Sequence, residues 1–143
     1  MTPAEMEPTA TAMEDETMAT RRRLSAHFTI EEFDSRDGVR VPERAIPALI
    51  VLCTLHLEHV RRMYGPVRIH SGFRSAARNE AVGGAPDSRH RYDRHPTSPA
   101  ADFSAATGGP RQWFDTLDRR GAGGLGLYGG FVHVDTRAGR VRW

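Results

Sequence analysis

The chain has 143 residues, enough to bury one core and too few for two comfortable ones. Its basic residues are all arginine, 20 of them, and its one cysteine, Cys53, excludes a disulfide framework and the Cys-rich structural zinc modules. Residues 1–20 hold five acids and no base, so residues 21–143 set 20 arginines against 13 acids, a net +7 that suits an anionic partner or a solvated basic surface.

Residues 1–23, MTPAEMEPTATAMEDETMATRRR, contain no Leu, Ile, Val or aromatic residue. They cannot bury enough apolar surface to offset their chain entropy, so a tail over 1–23 is expected to stay disordered unless a protein partner holds it. A secretory signal opens basic and then turns apolar, whereas this segment opens acidic and puts its arginines last, so no signal peptide is expected. The most apolar stretch, AIPALIVLCTLHL, is too short to span a membrane and runs straight into Glu58 and His59. The expectation is a chain made in the cytoplasm without a membrane span.

LSAHFTIEEFDSRDG offers a cap at Ser25 or Thr29 with Glu32 close behind, which predicts a helical turn around 29–34. From Pro42 to Gly65, the residues Ile46, Leu49, Ile50, Cys53, Leu57, Val60 and Tyr64 follow helical spacing and predict one helix with a wide buried face. Pro47 falls in its first turn, where a missing N–H does no harm, and Cys53 reads as a small core residue. His56 and His59 lie three apart on it. A zinc-binding helix pair needs a spacing of four with an intervening Glu, so these two take a structural or surface role. VRIHSGFRS reads as a strand over 67–70 with a glycine turn, followed by a short helix at 76–81 stopped by Gly83 and Gly84. Ala100 to Ser104 are small or apolar enough for a buried strand. GGPRQWFDTLDRRG predicts an amphipathic helix with Trp113, Phe114 and Leu117 inward and Gly121 as its stop. GLGLYGGFVHVDTRAGRVRW alternates around glycine turns and predicts two or three antiparallel strands. The fold class is α+β: a single domain over 24–143, with helices packed on a small, mostly antiparallel sheet.

Alternation along FVHVDTR puts Phe131, His133 and Asp135 on one face of a strand. His90 or His95, together with Asp102, would add two more ligands of the kind zinc takes. Two histidines and one aspartate leave a fourth position for water, the open arrangement of a catalytic site.

The run IHSGFRSAARNEAVGGAPDSRH, then AADF, then FVHVDTR, resembles the zinc D-Ala-D-Ala carboxypeptidase and endolysin-peptidase family of peptidoglycan enzymes, which is related in structure to the Hedgehog signalling domain. The family pattern is a Ser-Gly-Tyr/Phe-Arg-Ser turn, then Ser-x-His-x-x-Gly-x-Ala-x-Asp, then a terminal strand with the third ligand. Here these fall on Ser71–Ser75, on Ser88 and His90, and on His133; HFTIEEFDSRDG resembles the family's lead-in, so the likeness spans about 25–143. The resemblance implies a Hedgehog/DD-peptidase-like domain, Zn2+ held by His90, Asp102 and His133, Arg74 as a clamp for a substrate carboxylate, and Ser88 as a substrate donor or a brace for the loop. The implied substrate is a peptidoglycan stem peptide, and the implied setting is a phage or prophage enzyme acting at the cell wall after release or carried in a virion. No nucleic-acid-binding motif accompanies the basic charge.

Two departures stand out. The family spaces its His and Asp seven apart, which fits His95, whereas His90 lies twelve before Asp102. The uninterrupted approach AVGGAPDS favours His90 and makes HPTSP a five-residue loop insertion, with His95 as the alternative ligand. The family's acid three residues before the last histidine is replaced by Gly130, and the histidine that other branches carry two before it by Phe131. Asp135 is then the candidate general base, or else the group that orients His133. A non-catalytic structural or cell-wall-binding module with the same fold is the alternative to a peptidase.

Overall fold

The computed structural model describes residues 22–143; most of the segment read as a tail therefore lies outside the described residues. Strands β1 (Arg23–Ser25) and β2 (Phe28–Thr29) form a small antiparallel pair. A 3-10 turn, Ile30–Phe33, follows. Thr29 stands at its N-cap, and the Glu32 carboxylate reaches back to accept from the Thr29 backbone N–H at 2.7 Å.

The long core helix begins with a 3-10 turn, Glu43–Ala45, and continues as α1 (Ile46–Leu52), a π turn (Cys53–Leu57) and α2 (Glu58–Tyr64). Pro47 sits in the first turn of α1. Leu49, Leu52, Cys53, Leu57 and Val60 are buried, but Ile50 is 39% exposed and does not join the face that periodicity assigned it to. The inward stripe runs through Leu52 and His56 instead, and the π turn lets it reach Leu57 and Val60. Burial pushes the Cys53 thiol far above its ordinary range, as a core residue requires.

The main sheet has five strands: β3 (Val67–Ser71), β4 (Ala100–Ala105), β5 (Gly124–Leu127), β6 (Val132–Asp135) and β7 (Val141–Arg142). Their order is β3-β4-β6-β5-β7. All pairs are antiparallel except β5 with β7, which is parallel and so departs from the expected run of antiparallel C-terminal strands. Helix α3 (Ala76–Ala81) starts at Ser75, whose hydroxyl accepts from the Arg78 N–H. Helix α4 (Pro110–Arg119) buries Trp113, Phe114 and Leu117. Each such side chain contributes about 1.5–3 kcal/mol of burial.

Period-two alternation then separates the sheet's two faces. Ile69, Phe103, Val132, Val134 and Leu125 turn toward the helices and build the core. Asp102, His133 and Asp135 turn the other way, and this second face carries the polar cluster.

Candidate metal centre

Register brings the cluster together. On β4 and β6, Asp102 lies directly opposite His133, and Ala100 opposite Asp135. Side chains so paired on one face have their Cβ atoms about 5 Å apart. His90 comes from the loop between α3 and β4. Its backbone carbonyl accepts from the Arg74 N–H at 2.8 Å, and its own N–H donates to the Ser88 hydroxyl at 3.2 Å. Tyr92 anchors the same loop: it is fully buried against Phe73, and its hydroxyl donates to the Ala100 carbonyl at 2.6 Å.

His90 Nε2 and His133 Nδ1 both face one oxygen of Asp102, at 3.1 and 3.2 Å. All three residues are buried, and their ligand atoms lie within 4.8 Å of one another. On the outer side of each ring, His90 Nδ1 is 2.8 Å from the Gly72 carbonyl and His133 Nε2 is 2.8 Å from Asp135 Oδ2. Only an N–H can satisfy those acceptors, so the neutral rings direct lone pairs inward. Two lone pairs and a carboxylate oxygen then converge with no donor among them. Such a set is repulsive unless a cation or an added proton lies at its centre. It fits zinc, whose histidine ligands donate their outer N–H to a carbonyl or carboxylate.

Without metal, the surroundings of His133 favour an added proton. Burial lowers the His133 pKa, but hydrogen bonds and charge from Asp102 and Asp135 outweigh it and leave the pKa raised. Burial pushes Asp102 up, and the two imidazoles more than reverse that, holding it well below the usual carboxylate range.

Asp135 meets the cluster from behind His133. It is 0% exposed and accepts from the Gly124 N–H at 3.0 Å and from the Arg137 backbone and guanidinium at 2.7 to 3.1 Å. Burial raises its pKa, but His133 and Arg137 overcome this and keep it ionised to low pH. With both oxygens engaged on the far side of the imidazole, its carboxylate is not directed at the open side of the cluster, where a general base must stand.

That open side faces a cleft of about 510 Å³. Arg74 and Ser88 line it, and Arg74 Nη2 lies 3.6 Å from the second oxygen of Asp102. His95 is turned away: its Nε2 is 2.7 Å from the Asp87 carbonyl. His56 and His59, buried and half-buried on the core helix, have no third ligand among the described residues.

A sequence model of the family described as Peptidase M15 matches residues 24–135. The chain belongs to Peptidase M15. Members of the family are zinc-dependent metallopeptidases, and this member presents a buried His-Asp-His group able to bind a metal. No curated protein and no solved structure matches the chain.

Among the cleft residues to which sequence reasoning gave no role are Asp87, Tyr128, Arg137 and Trp143. Tyr128 and Trp143 belong to the glycine-rich terminal segment, where alternation marked strands but not which side chains would border the cluster. Arg137 follows Asp135 by two, a spacing that in hindsight signals a bidentate partner.

Proposed function

We propose that this M15 member hydrolyses an amide bond in peptidoglycan stem peptides, as a carboxypeptidase or an endopeptidase of endolysin type from a phage or prophage. The observation that carries the reading is the convergence of two inward imidazole lone pairs on one Asp102 oxygen at the wall of an open cleft. His90, Asp102 and His133 would hold zinc, and bound zinc supplies a Lewis acid and a water of lowered pKa, from 15.7 toward about 7. Asp135 orients His133 and fixes its tautomer. The base role then falls to Asp87, the one other residue whose carboxylate lines the cleft: its backbone carbonyl faces His95 and its charge acts on Arg137, but its carboxylate oxygens make no hydrogen bond among the described residues. It takes the proton of the attacking water and passes it to the leaving amine. Arg74, steadied by the Ser71 hydroxyl at 3.2 Å, offers its remaining donors to a substrate carboxylate. Ser88 braces the His90 loop through the His90 N–H.

Mass spectrometry of purified peptidoglycan fragments treated with the zinc-loaded full chain tests the reading. Loss of D-Ala or scission of a stem-peptide bond is expected. A zinc-loaded chain that cuts neither is a non-catalytic module of the same fold. In that assay Asp87→Asn is expected to keep its zinc and lose about 10²-fold or more in kcat; a wild-type rate removes Asp87 from the mechanism.

A further inference from the structure

The cleft contains a hydroxyl with an unassigned proton. Tyr128 Oη lies 2.8 Å from Trp143 Nε1. An indole nitrogen only donates, so the tyrosine oxygen is the acceptor. No acceptor for Tyr128's own O–H is found among the described residues.

The ring that carries this hydroxyl is held from several sides. Phe131 stacks on it at 4.5 Å with only 8° between the planes, and the Tyr128 N–H donates to the Phe131 carbonyl at 3.1 Å. Trp143 is fixed in turn. Its backbone bridges Leu125 and Leu127, its ring lies 4.8 Å from the His133 ring, and the Arg137 guanidinium covers it at 5.4 Å. Gly126, opposite His133 on the sheet, leaves the space the indole fills, since a Cβ there would strike Trp143. Yet Tyr128 and Trp143 remain 41% and 46% exposed, on the cleft that His90, Asp102 and His133 line. Two aromatic side chains braced this thoroughly and left open to a polar cleft present a positioned donor.

We infer that Tyr128 is a catalytic residue whose O–H donates a hydrogen bond to the substrate carbonyl oxygen as negative charge develops there, with Trp143 as its positioning residue. The inference rests on the peptidase reading above. Water oxygen bonds to the carbonyl carbon, the C=O π pair moves onto oxygen, and the Tyr128 O–H strengthens its hydrogen bond to that oxygen. When the C–N bond breaks, the pair returns to the carbonyl and the amine leaves with the proton carried by Asp87. Tyr128 gains and loses no proton, so it works in its neutral form. A donor aimed at developing charge accelerates the step without binding the ground state more tightly.

The test compares zinc-loaded wild type, Tyr128→Phe and Trp143→Phe on one defined stem peptide, and measures by calorimetry the binding of a phosphinate analogue of the cleaved dipeptide and of the product peptide. Tyr128→Phe is expected to keep its zinc and KM, lose about 10²-fold in kcat, and weaken the phosphinate by a comparable factor with product binding unchanged. Trp143→Phe, which keeps the hydroxyl but releases it, is expected to fall between. The inference is overturned if Tyr128→Phe keeps kcat and phosphinate affinity within about twofold, or if phosphinate and product weaken equally. A wild-type chain that cleaves no stem peptide overturns the peptidase reading itself, a result distinct from an active Tyr128→Phe.

Discussion

His133 stands between two carboxylates, and its two nitrogens do different jobs. Nδ1 faces Asp102 and the cleft, while Nε2 is held by Asp135, itself clasped by Arg137. That His133 and Asp135 share a face was legible from their spacing of two; which nitrogen meets which acid depends on the partner strand, which spacing cannot supply. His56 gives a residue whose sign can be worked out. Burial first, then Arg120 and His59, lower its pKa to about 4. The unfolded chain therefore binds a proton that the folded chain refuses between about pH 6.5 and 4, and stability falls as pH drops through that window. His59 and His70, both lowered, act in the same direction. In the zinc-free chain His133, raised, acts only above about 6.5, and Asp102 and Asp135, lowered, lose their contribution only below about 3.8. Urea midpoints at pH 7 and pH 4.5 are therefore expected to differ less in His56→Leu than in wild type. An equal difference in both would remove His56 from the acid response.

Strand register decides the centre, and glycines make the register usable. Gly124 lies opposite Asp135, and a Cβ there would fall onto the Asp135 carboxylate. Gly124→Ala is therefore expected to displace Asp135 from His133 and to weaken zinc binding about 10- to 100-fold, as loss of an outer partner does. Gly129→Ala, whose added methyl meets nothing, is the control. Competition with a chromogenic chelator reads both, and equal affinities would mean that Asp135 does not support the site. The elements themselves were largely legible: α3, α4, β3 and β4 fall within a residue or two of their sequence-derived bounds. The parallel β5–β7 pair was not, because strand direction follows the path of the connecting chain and leaves no trace in alternation. Ile50 failed for a related reason, since helical spacing cannot say where a buried stripe ends or that a π turn will shift it.

Taken whole, the domain uses one sheet twice: its inner face builds the core with the helices, and its outer face carries Asp102 and His133, which with His90 of the 86–99 loop form the group able to bind a metal. The loop is tied down rather than loose. Ser98 accepts from Arg89 at 2.6 Å, and His95 spends its imidazole on the Asp87 carbonyl. Counting residues favours His95, yet it is His90 whose Nε2 lies 3.1 Å from Asp102 while His95 faces the Asp87 carbonyl. HPTSP lengthens the chain path between His90 and Asp102, and sequence distance counts that slack where space does not. Zinc content of the purified full chain, measured after exhaustive dialysis for wild type, His90→Ala and His95→Ala, tests the account most directly. About one zinc per chain is expected in wild type and His95→Ala, and little in His90→Ala. A wild type that holds no zinc, or a His95→Ala that loses it while His90→Ala keeps it, would contradict the account.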